Sequence, residues 1–268
     1  MSDVEATLTP EQAAADYETL YTVMAKRMSA RRLKPDPVPD EIIGKVLEAG
    51  RWAMSGANAQ PWEFIVVKAP ARKQALADAY RDSNMEFCFW MEQMRDYDLR
   101  HPNFQVAGST PQEQWEHMIE GSAVGWAKAP ALIVVLGDGR RQWATVAGAH
   151  TFGRHASHLT DGLANCCTHM HLAIAALGLG SQWVTIHIQE PFKRILKVPD
   201  LLDVFLIISI GYPDMLRKPG TRRELSEFVH TEEYDMSKYM QNAEVADYIR
   251  RLRGKTRFRY EEIEPARS

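Results

Sequence analysis

The chain has 268 residues, a formal net charge of −3 at pH 7, 45% hydrophobic residues and 25% charged residues. These values are typical of a globular protein with a sizeable core. The small net charge excludes a general attraction to nucleic acid or to anionic membranes, so we expect neither as a partner. We expect one domain over residues 1–268.

No segment approaches the roughly 20 apolar residues that span a bilayer, and the first residues lack the basic and apolar regions of a signal peptide. The three cysteines, Cys88, Cys166 and Cys167, show no disulfide spacing, so we expect reduced thiols in a cytoplasmic protein. Five histidines lie between residues 150 and 171, but no Glu or Cys completes a zinc pattern. We expect surface or hydrogen-bonded histidines and no metal site.

The first predicted helix begins at residues 9–12, where Thr9 and Gln12 match a capping box and a proline follows Thr9. Its far end runs into residues 26–33, which contain four basic residues and Ser29. This cluster is either the solvated end of a helix or a phosphate site. The second interpretation rests on the match between Arg guanidinium groups and phosphate oxygens, to which a serine adds a donor.

A second helix is predicted from Asp40, which we expect to be its N-cap. It leads into Ser-Gly-Ala-Asn-Ala-Gln-Pro at residues 55–61, and a strand is predicted at 63–68. Small residues let the backbone approach a bound group closely, and the amides of Asn58 and Gln60 both donate and accept hydrogen bonds. This loop is therefore suited to the edge of a flat heterocycle.

A long helical region is predicted from residue 71, and residues 87–94 within it are rich in aromatic residues and Met. Residues 98–112 are predicted as a loop. We interpret residues 88–126 as an insertion that forms a lid or channel wall; a contact with the core or with a second subunit is the alternative. The next predicted elements are a strand at 131–137 covered on both faces, a central helix at 157–177, an extended segment at 183–188, a short helix at 191–196 and a strand at 204–210.

The C-terminal tail, residues 231–268, is polar and ends in a run of basic residues. We predict an arm that packs on a second subunit. Binding of an anionic partner is the alternative, which the body of the chain does not support because it shows no basic interleaving.

Three separated features fit one ligand: the Arg/Ser cluster at 27–31, the amide loop at 55–60, and the pair Arg222 and Arg223. Two arginine clusters at structural boundaries can converge on one dianionic phosphate, while the loop binds the rim of a ring attached to it. The sequence contains no Walker motif and no complete dinucleotide fingerprint. The combination fits FMN better than ATP or a resident NAD.

Seven short motifs follow one another along the chain: Arg-Met-Ser-Ala-Arg-Arg-Leu at 27–33, Pro-Val-Pro at 37–39, Ser-Gly-Ala-Asn-Ala-Gln-Pro-Trp at 55–62, Ala-Pro at 129–130, Gly-Leu-Gly-Ser-Gln-Trp at 178–183, Gly-Tyr-Pro at 211–213, and Arg-Arg-Glu-Leu-Ser-Glu-Phe-Val-His at 222–230. Their order resembles the nitroreductase-like flavoproteins over about residues 15–230. The resemblance implies an α+β fold with a mixed central sheet flanked by helices. It also implies a homodimer with FMN at the subunit interface.

The resemblance further implies roles for individual residues. Met28 stands where the family often has Arg or His, so only its backbone is expected to contact the cofactor. Arg223-Glu224 replaces the family's Lys-Pro, so either Arg222 or Arg223 is the late phosphate ligand. Thr185 is the expected catalytic residue, through hydrogen bonding near the reactive flavin nitrogen. The implied cofactor-binding residues are Arg27, Met28, Ser29 and Arg31 at the phosphate and ribose, Ser55, Gly56, Ala57, Asn58 and Gln60 at the ring edge, Val184 and Thr185 at the reactive side, and Arg222 with Arg223 at the phosphate.

The implied reaction is reduction of a small aromatic or conjugated acceptor, of the nitroaromatic or quinone type, with NAD(P)H as the transient hydride donor in a ping-pong mechanism. The Ser-Gly-Ala loop also resembles the iodotyrosine deiodinases, which bind an amino-acid zwitterion with a Glu, a Tyr and a Lys of the lid. Glu92, Tyr97 and Lys128 are the candidates here, so reductive dehalogenation of a halophenol is an alternative. A non-catalytic flavin-binding module is the alternative from another class.

Overall fold

The computed structural model describes residues 8–100, 125–141, 155–214 and 222–257. The helices in these ranges are α1 (Pro10–Lys26), α2 (Asp40–Arg51), α3 (Pro70–Ala79), α4 (Met85–Gln93), α5 (His155–Ala176), α6 (Glu190–Leu196) and α7 (Asn242–Arg257), and a π-helical turn (Tyr80–Asn84) joins α3 to α4. The strands are β1 (Trp62–Val67), β2 (Ala131–Gly137), β3 (Gly180–Thr185) and β4 (Asp203–Gly211).

The four strands form one sheet in the order β1-β2-β4-β3, and every neighbouring pair is antiparallel. Within the described residues, parallel pairing is confined to the isolated bridge between Ser29 and Ser181, at the free edge of β3. The predicted α+β fold with helices around a central sheet is confirmed. In the described part of the chain, that bridge is the parallel component of the expected mixed sheet.

Helices cover both faces of the sheet, as expected for the strand at 131–137, and all of β2 is buried. On one face, α2 and α5 pack through side chains such as Val46 and Met170. On the other face, α3 and α6 contribute Leu76 and Phe192. Helix α5 is central, as predicted, because α1, α2 and three of the strands contact it.

Cys166 and Cys167 are free thiols on the buried side of α5. Burial raises the pKa of Cys166 to about 12 and also raises the pKa of Cys167. Neither group is a thiolate at neutral pH, so both are packing residues and not nucleophiles.

Most predicted elements lie within one or two residues of their expected ends, but β3 does not. The apolar pattern predicts it at 183–188, and the strand extends from Gly180 to Thr185. Its ladder begins where Gly180 pairs with Gly211. A Cβ at either glycine would come within 2.7 Å of a neighbouring atom, so the pairing depends on two residues without side chains. A pattern of apolar residues cannot predict that a strand begins at a glycine.

Helix α1 begins as predicted, with reciprocal hydrogen bonds between Thr9 and Gln12. The prediction that Asp40 caps α2 is wrong. Pro39 occupies the N-cap and Asp40 is the first helical residue. The Asp40 carboxylate is bound by the Lys68 ammonium group just after β1, which is why it does not turn back onto the helix.

Helix α1 buries none of its residues in the single chain. Tyr17, Leu20, Tyr21 and Met24 form the predicted apolar face, and they are between 41% and 58% exposed. An exposed apolar face of this extent indicates an interaction surface. The described helices include none that is both long and apolar enough to cross a membrane.

Parts of three predicted features lie outside the described residues. Residues 101–124 belong to the predicted loop and lid, and residues 215–221 precede the late arginine pair. Residues 258–268 end the predicted C-terminal arm. The single-domain boundary prediction over 1–268 therefore stays a prediction.

The close approach at Gly180 can be tested by adding one methyl group. A Cβ added at Gly180 would lie 2.6 Å from the Ala30 Cβ, so Gly180→Ala should lower the free energy of unfolding by about 1–3 kcal/mol. Gly44→Ala is the matched control, since beyond the adjacent residues and backbone of its own helix no atom lies within 4 Å of the added Cβ. It should stabilise α2 by up to about 1 kcal/mol. Urea denaturation measures both. Equal effects of the two changes would contradict the close contact.

Candidate functional site

The basic segment that follows α1, residues 27–34, is held against the sheet at both of its ends. The Ala30 N–H donates to the Ser181 carbonyl oxygen at 2.8 Å, beside the Ser29 bridge. At the other end, the Lys34 N–H donates to the Tyr212 carbonyl oxygen at 2.8 Å. The segment therefore crosses the start of β3 and the end of β4.

Four predicted ligand residues lie in this segment. Arg27, Met28 and Ser29 are half-buried, whereas Arg31 is exposed. Because the backbone here is fixed to β3, these side chains project from a defined position and do not belong to a frayed helix end. The interpretation of the cluster as an anion site stays a prediction.

His171 supports this attachment from inside α5. Its side chain is 6% exposed, and its Nδ1 lies 2.7 Å from the Ser181 hydroxyl oxygen. Its ring stacks on Trp183 with centroids 5.9 Å apart. Burial, together with the nearby Arg27 charge, lowers the pKa of His171 to about 4. The imidazole is therefore neutral at neutral pH, and its Nε2 has no hydrogen-bond partner in the described part of the chain.

From the sequence, His171 is expected only to be a surface or hydrogen-bonded histidine. Sequence patterns do not identify Ser181 as its hydrogen-bonding partner. A usable pattern is present, because Cys167, Met170, His171 and Ile174 share one helical face and all are buried. A histidine on an otherwise apolar face needs a hydrogen-bond partner. The identity of that partner depends on the position of β3, which local patterns do not give.

The amide loop contains three residues in the left-handed region: Ala57 and Asn58 with φ of 52°, and Gln60 with φ of 47°. Such conformations are uncommon for residues other than glycine and concentrate at functional sites. Two contacts hold them: the Gln60 N–H donates to the Ser55 hydroxyl oxygen at 3.0 Å, and the Asn58 N–H to the Ser55 carbonyl oxygen at 3.0 Å. The Asn58 side chain is exposed.

A charged network fixes the exit of this loop. The Asp138 N–H donates to the Pro61 carbonyl oxygen at 2.7 Å, and the Asp138 carboxylate binds Arg140 through two bonds of 2.8 Å. These bonds hold the pKa of Asp138 below its usual range. Arg141 joins Asp138 to Glu63 of β1. The loop is thus held in place where it enters the sheet.

The residues predicted beside the reactive part of the flavin lie at the end of β3. Val184 is 3% exposed and points into the core, so only its backbone can contact a ligand. Thr185 is exposed and is the last residue of the strand. The basic segment and this strand end therefore share one sheet edge, with Ser181 four residues before Thr185.

Arg223 is bound locally. Its Nε lies 3.2 Å from a Glu227 carboxylate oxygen, and its Nη2 lies 3.1 Å from the Glu227 carbonyl oxygen. Its guanidinium group also lies 5.1 Å from the Phe228 ring centre and 5.7 Å from that of Tyr248 in α7. Arg223 thus connects residues 227–228 to the C-terminal helix. Arg222 also takes part in an interaction, so neither arginine is free.

The basic segment and the amide loop are linked to α5 at different points. The amide loop packs on α5 at Gly162, where an added Cβ would lie 3.3 Å from that of Ser55. The basic segment reaches α5 through Ser181 at His171, nine residues further along the helix. Nine residues correspond to about 14 Å of helix. No group of three His, Cys, Asp or Glu residues that could hold a metal ion occurs in the described ranges.

The burial of His171 predicts how the free energy of unfolding depends on pH. Its pKa of about 4 in the folded protein lies below the usual value of about 6.5. The unfolded state therefore binds more protons between these values, and the free energy of unfolding decreases as the pH falls from about 6.5 to about 4. His171→Asn keeps a polar group beside Ser181 but cannot titrate, and should remove about 3 kcal/mol of that decrease.

Urea denaturation at a series of pH values measures this difference. Thr168→Asn changes an exposed residue of the same helix that does not titrate, so it is the matched control and should keep the wild-type pH dependence. An unchanged pH dependence in His171→Asn would contradict the buried, neutral state of His171.

Comparison with known proteins gives relatives of similar length. The chain is 27% identical over 218 residues to a Thermus thermophilus protein named NADH dehydrogenase. The aligned region covers 78% of this chain and 93% of that protein. The chain is 24% identical over 209 residues to the iodotyrosine deiodinase of Haliscomenobacter hydrossis, covering 76% and 83%.

Two solved structures share the fold. An oxidized iodotyrosine deiodinase bound to FMN and 3-iodo-L-tyrosine matches with a TM-score of 0.58 and 23% identity, covering 80% of this chain and 100% of that one. The NADPH:FMN oxidoreductase of Vibrio harveyi, complexed with NAD+, matches with a TM-score of 0.58 and 15% identity, covering 86% and 83%. Residues 24–212, which include the basic segment, the amide loop and the whole sheet, match the model of the nitroreductase family. The chain therefore belongs to the nitroreductase family.

Proposed function

We propose that the chain is an FMN-dependent oxidoreductase that uses NAD(P)H to reduce a small aromatic or conjugated acceptor of the nitroaromatic or quinone type. The observation that carries the proposal is the attachment of residues 27–31 to β3 through Ala30 and Ser181. It places an Arg/Ser cluster on the sheet edge that ends at Thr185. An anion-binding group and an exposed strand end at one edge match a ligand with a phosphate and a ring.

The donor set fits FMN at both ends. Arg27, Ser29 and Arg31 present cationic and hydroxyl donors for a dianionic phosphate. The left-handed loop presents backbone and the Asn58 amide, which both donates and accepts, as the edge of a pyrimidine-type ring requires. The relatives and structures named for NADH, NADPH and FMN support the same assignment.

We assign the late phosphate contact to Arg222. Arg223 is held by Glu227 and lies against Phe228 and Tyr248, so a phosphate would have to displace several contacts to reach it. Arg223 then acts as a positioning residue that shapes the backbone next to Arg222.

We further propose a homodimer whose subunits each contribute to both sites. The basic segment and the amide loop are separated along α5 by about 14 Å, which suits a site completed by a second chain. The surface available for that chain is apolar. It includes the exposed α1 face, Trp52 and Met54, and a groove of about 610 Å³ between α1, α2 and α5 that is lined by Leu20, Val23, His169, Leu172 and Ala173.

When bound, FMN supplies hydride uptake from NAD(P)H and electron delivery to the acceptor. The chain's own residues bind and orient it. Arg27 and Arg31 balance the phosphate charge, and Asn58 binds the ring edge. The exposed Thr185 hydroxyl at the end of β3 donates a hydrogen bond at the reactive side. This assignment uses no side chain as a general acid.

Reductive dehalogenation is the second candidate, supported by the deiodinase relatives. It requires a lid carboxylate that binds the ammonium group of an amino acid. The candidate Glu92 is buried and forms a 2.7 Å ion pair with Arg95. This pairing weakens the dehalogenase assignment relative to reduction of an uncharged acceptor.

The purified protein tests the proposal directly. It should release FMN on denaturation, and anaerobic NADH or NADPH should abolish its visible flavin absorbance. A quinone or nitroaromatic should then restore that absorbance. A colourless protein would contradict the FMN assignment. Bound flavin that neither nucleotide reduces would leave the non-catalytic flavin-binding module as the function.

A further inference from the structure

The late arginine pair leads into a turn that is closed by hydrogen bonds. The Glu227 N–H donates to the Glu224 carbonyl oxygen at 3.0 Å, and the Glu227 carboxylate accepts from the Glu224 N–H at 3.2 Å. The same carboxylate accepts from the Arg223 Nε. The Arg223 side chain is therefore bonded to the turn that follows it. We call residues 222–228 the late segment.

The Arg223 guanidinium group also contacts two aromatic rings. The ring centre of Phe228 lies 5.1 Å from its Cζ, and that of Tyr248 lies 5.7 Å from it. A cation is attracted to the face of a ring at such distances. Phe228 belongs to the late segment itself, whereas Tyr248 belongs to α7. Tyr248 is thus a contact through which the C-terminal helix acts on the late segment.

Helix α7 is attached to another part of the chain as well. It contacts the turn Tyr97–Leu99, which follows α4. Tyr248 and Ile249 are half-buried, whereas Asp247 is exposed, so one side of the helix lies against protein. These contacts lie within one chain and do not require the second subunit on which the arm is predicted to pack. Tyr248 therefore connects Arg223 to a helix that is held independently of the late segment.

We propose, on the basis of the FMN site proposed above, that α7 is a positioning element for the phosphate contact. Tyr248 holds Arg223, and Arg223 keeps the backbone of the late segment in the conformation from which Arg222 reaches the phosphate. Tyr248 is a positioning residue, since it acts through Arg223. An arginine held in place before the ligand arrives loses less conformational freedom on binding, so this preorganisation raises the affinity.

A purely structural role of Tyr248 is the alternative. In that case its loss would loosen the protein and weaken every ligand alike, whereas positioning of Arg222 affects the phosphate end alone. Riboflavin has the ring system and the ribityl chain of FMN but no phosphate. A comparison of the two ligands therefore separates the two roles.

Fluorescence titration of the apoprotein gives the dissociation constants of FMN and riboflavin. Tyr248→Leu removes the ring but keeps an apolar side chain. It should raise the FMN constant about fivefold, as expected for the loss of a cation–π contact, and leave the riboflavin constant unchanged. Tyr248→Phe keeps the ring and should bind both ligands as the wild type does. Tyr239→Leu is the matched control, because Tyr239 is 51% exposed in the same C-terminal part of the chain.

The Arg222→Ala background shows whether Tyr248 acts on Arg222. In that background, Tyr248→Leu should cause no further loss of FMN affinity, because the contact that it positions is already absent. Three results would overturn the proposal: equal weakening of FMN and riboflavin by Tyr248→Leu, a full fivefold effect that persists without Arg222, or the same loss in Tyr248→Phe as in Tyr248→Leu.

Hydrogen exchange of the apoprotein separates this proposal from the proposed function. Tyr248→Leu should speed the exchange of the hydrogen-bonded amides of Glu224, Glu227 and Phe228, whereas Tyr239→Leu should not. A wild type that binds no FMN would contradict the proposed function, and faster exchange would then still support the positioning of the late segment by α7. Unchanged exchange in Tyr248→Leu would overturn that positioning whether or not FMN binds.

Discussion

The hydrogen bond from the Ala30 N–H to the Ser181 carbonyl oxygen joins the basic segment to the edge of the sheet. It can form only because Gly180 has no side chain, since a Cβ there would lie 2.6 Å from that of Ala30. The neutral imidazole of His171, on α5, lies within hydrogen-bond distance of the Ser181 hydroxyl group. Without this contact, the arginines after α1 would belong to a solvated helix end. With it, they become donors at a fixed position beside β3.

Helix α5 contacts both the amide loop and the strand that carries Ser181. Its residues Gly162 and Asn165 support the amide loop, and His171 supports β3. The contact points at Gly162 and His171 lie about 14 Å apart along the helix. The same helix lines the apolar groove that faces α1 and α2. One rigid element thus contacts the proposed anion site, the proposed ring site and the proposed subunit contact, so the proposed dimer and the proposed cofactor depend on each other.

Much of this fold could be predicted from local sequence patterns. The apolar runs at 131–137 and 204–210 are buried strands, and the capping box at Thr9 starts α1, because these features depend on nearby residues alone. The failures have a common physical origin. The early start of β3, the Asp40 pairing with Lys68 and the His171 partner each depend on a residue distant in the chain. Sequence alone does not separate the roles of Arg222 and Arg223, and a local pattern does not reveal the contact of Arg223 with Tyr248, which is distant in the chain.

The central claim is that residues 27–31, fixed to β3, bind the phosphate of FMN together with Arg222. The dissociation constant of FMN for the apoprotein tests it most directly, measured by fluorescence titration of the Arg31→Ala, Arg222→Ala double variant. Each charge-assisted hydrogen bond contributes about 1.5–3 kcal/mol, so the constant should rise at least about a hundredfold. Arg250→Ala, which removes an exposed arginine paired with Asp247, should bind FMN as the wild type does. Wild-type affinity in the double variant would contradict the account.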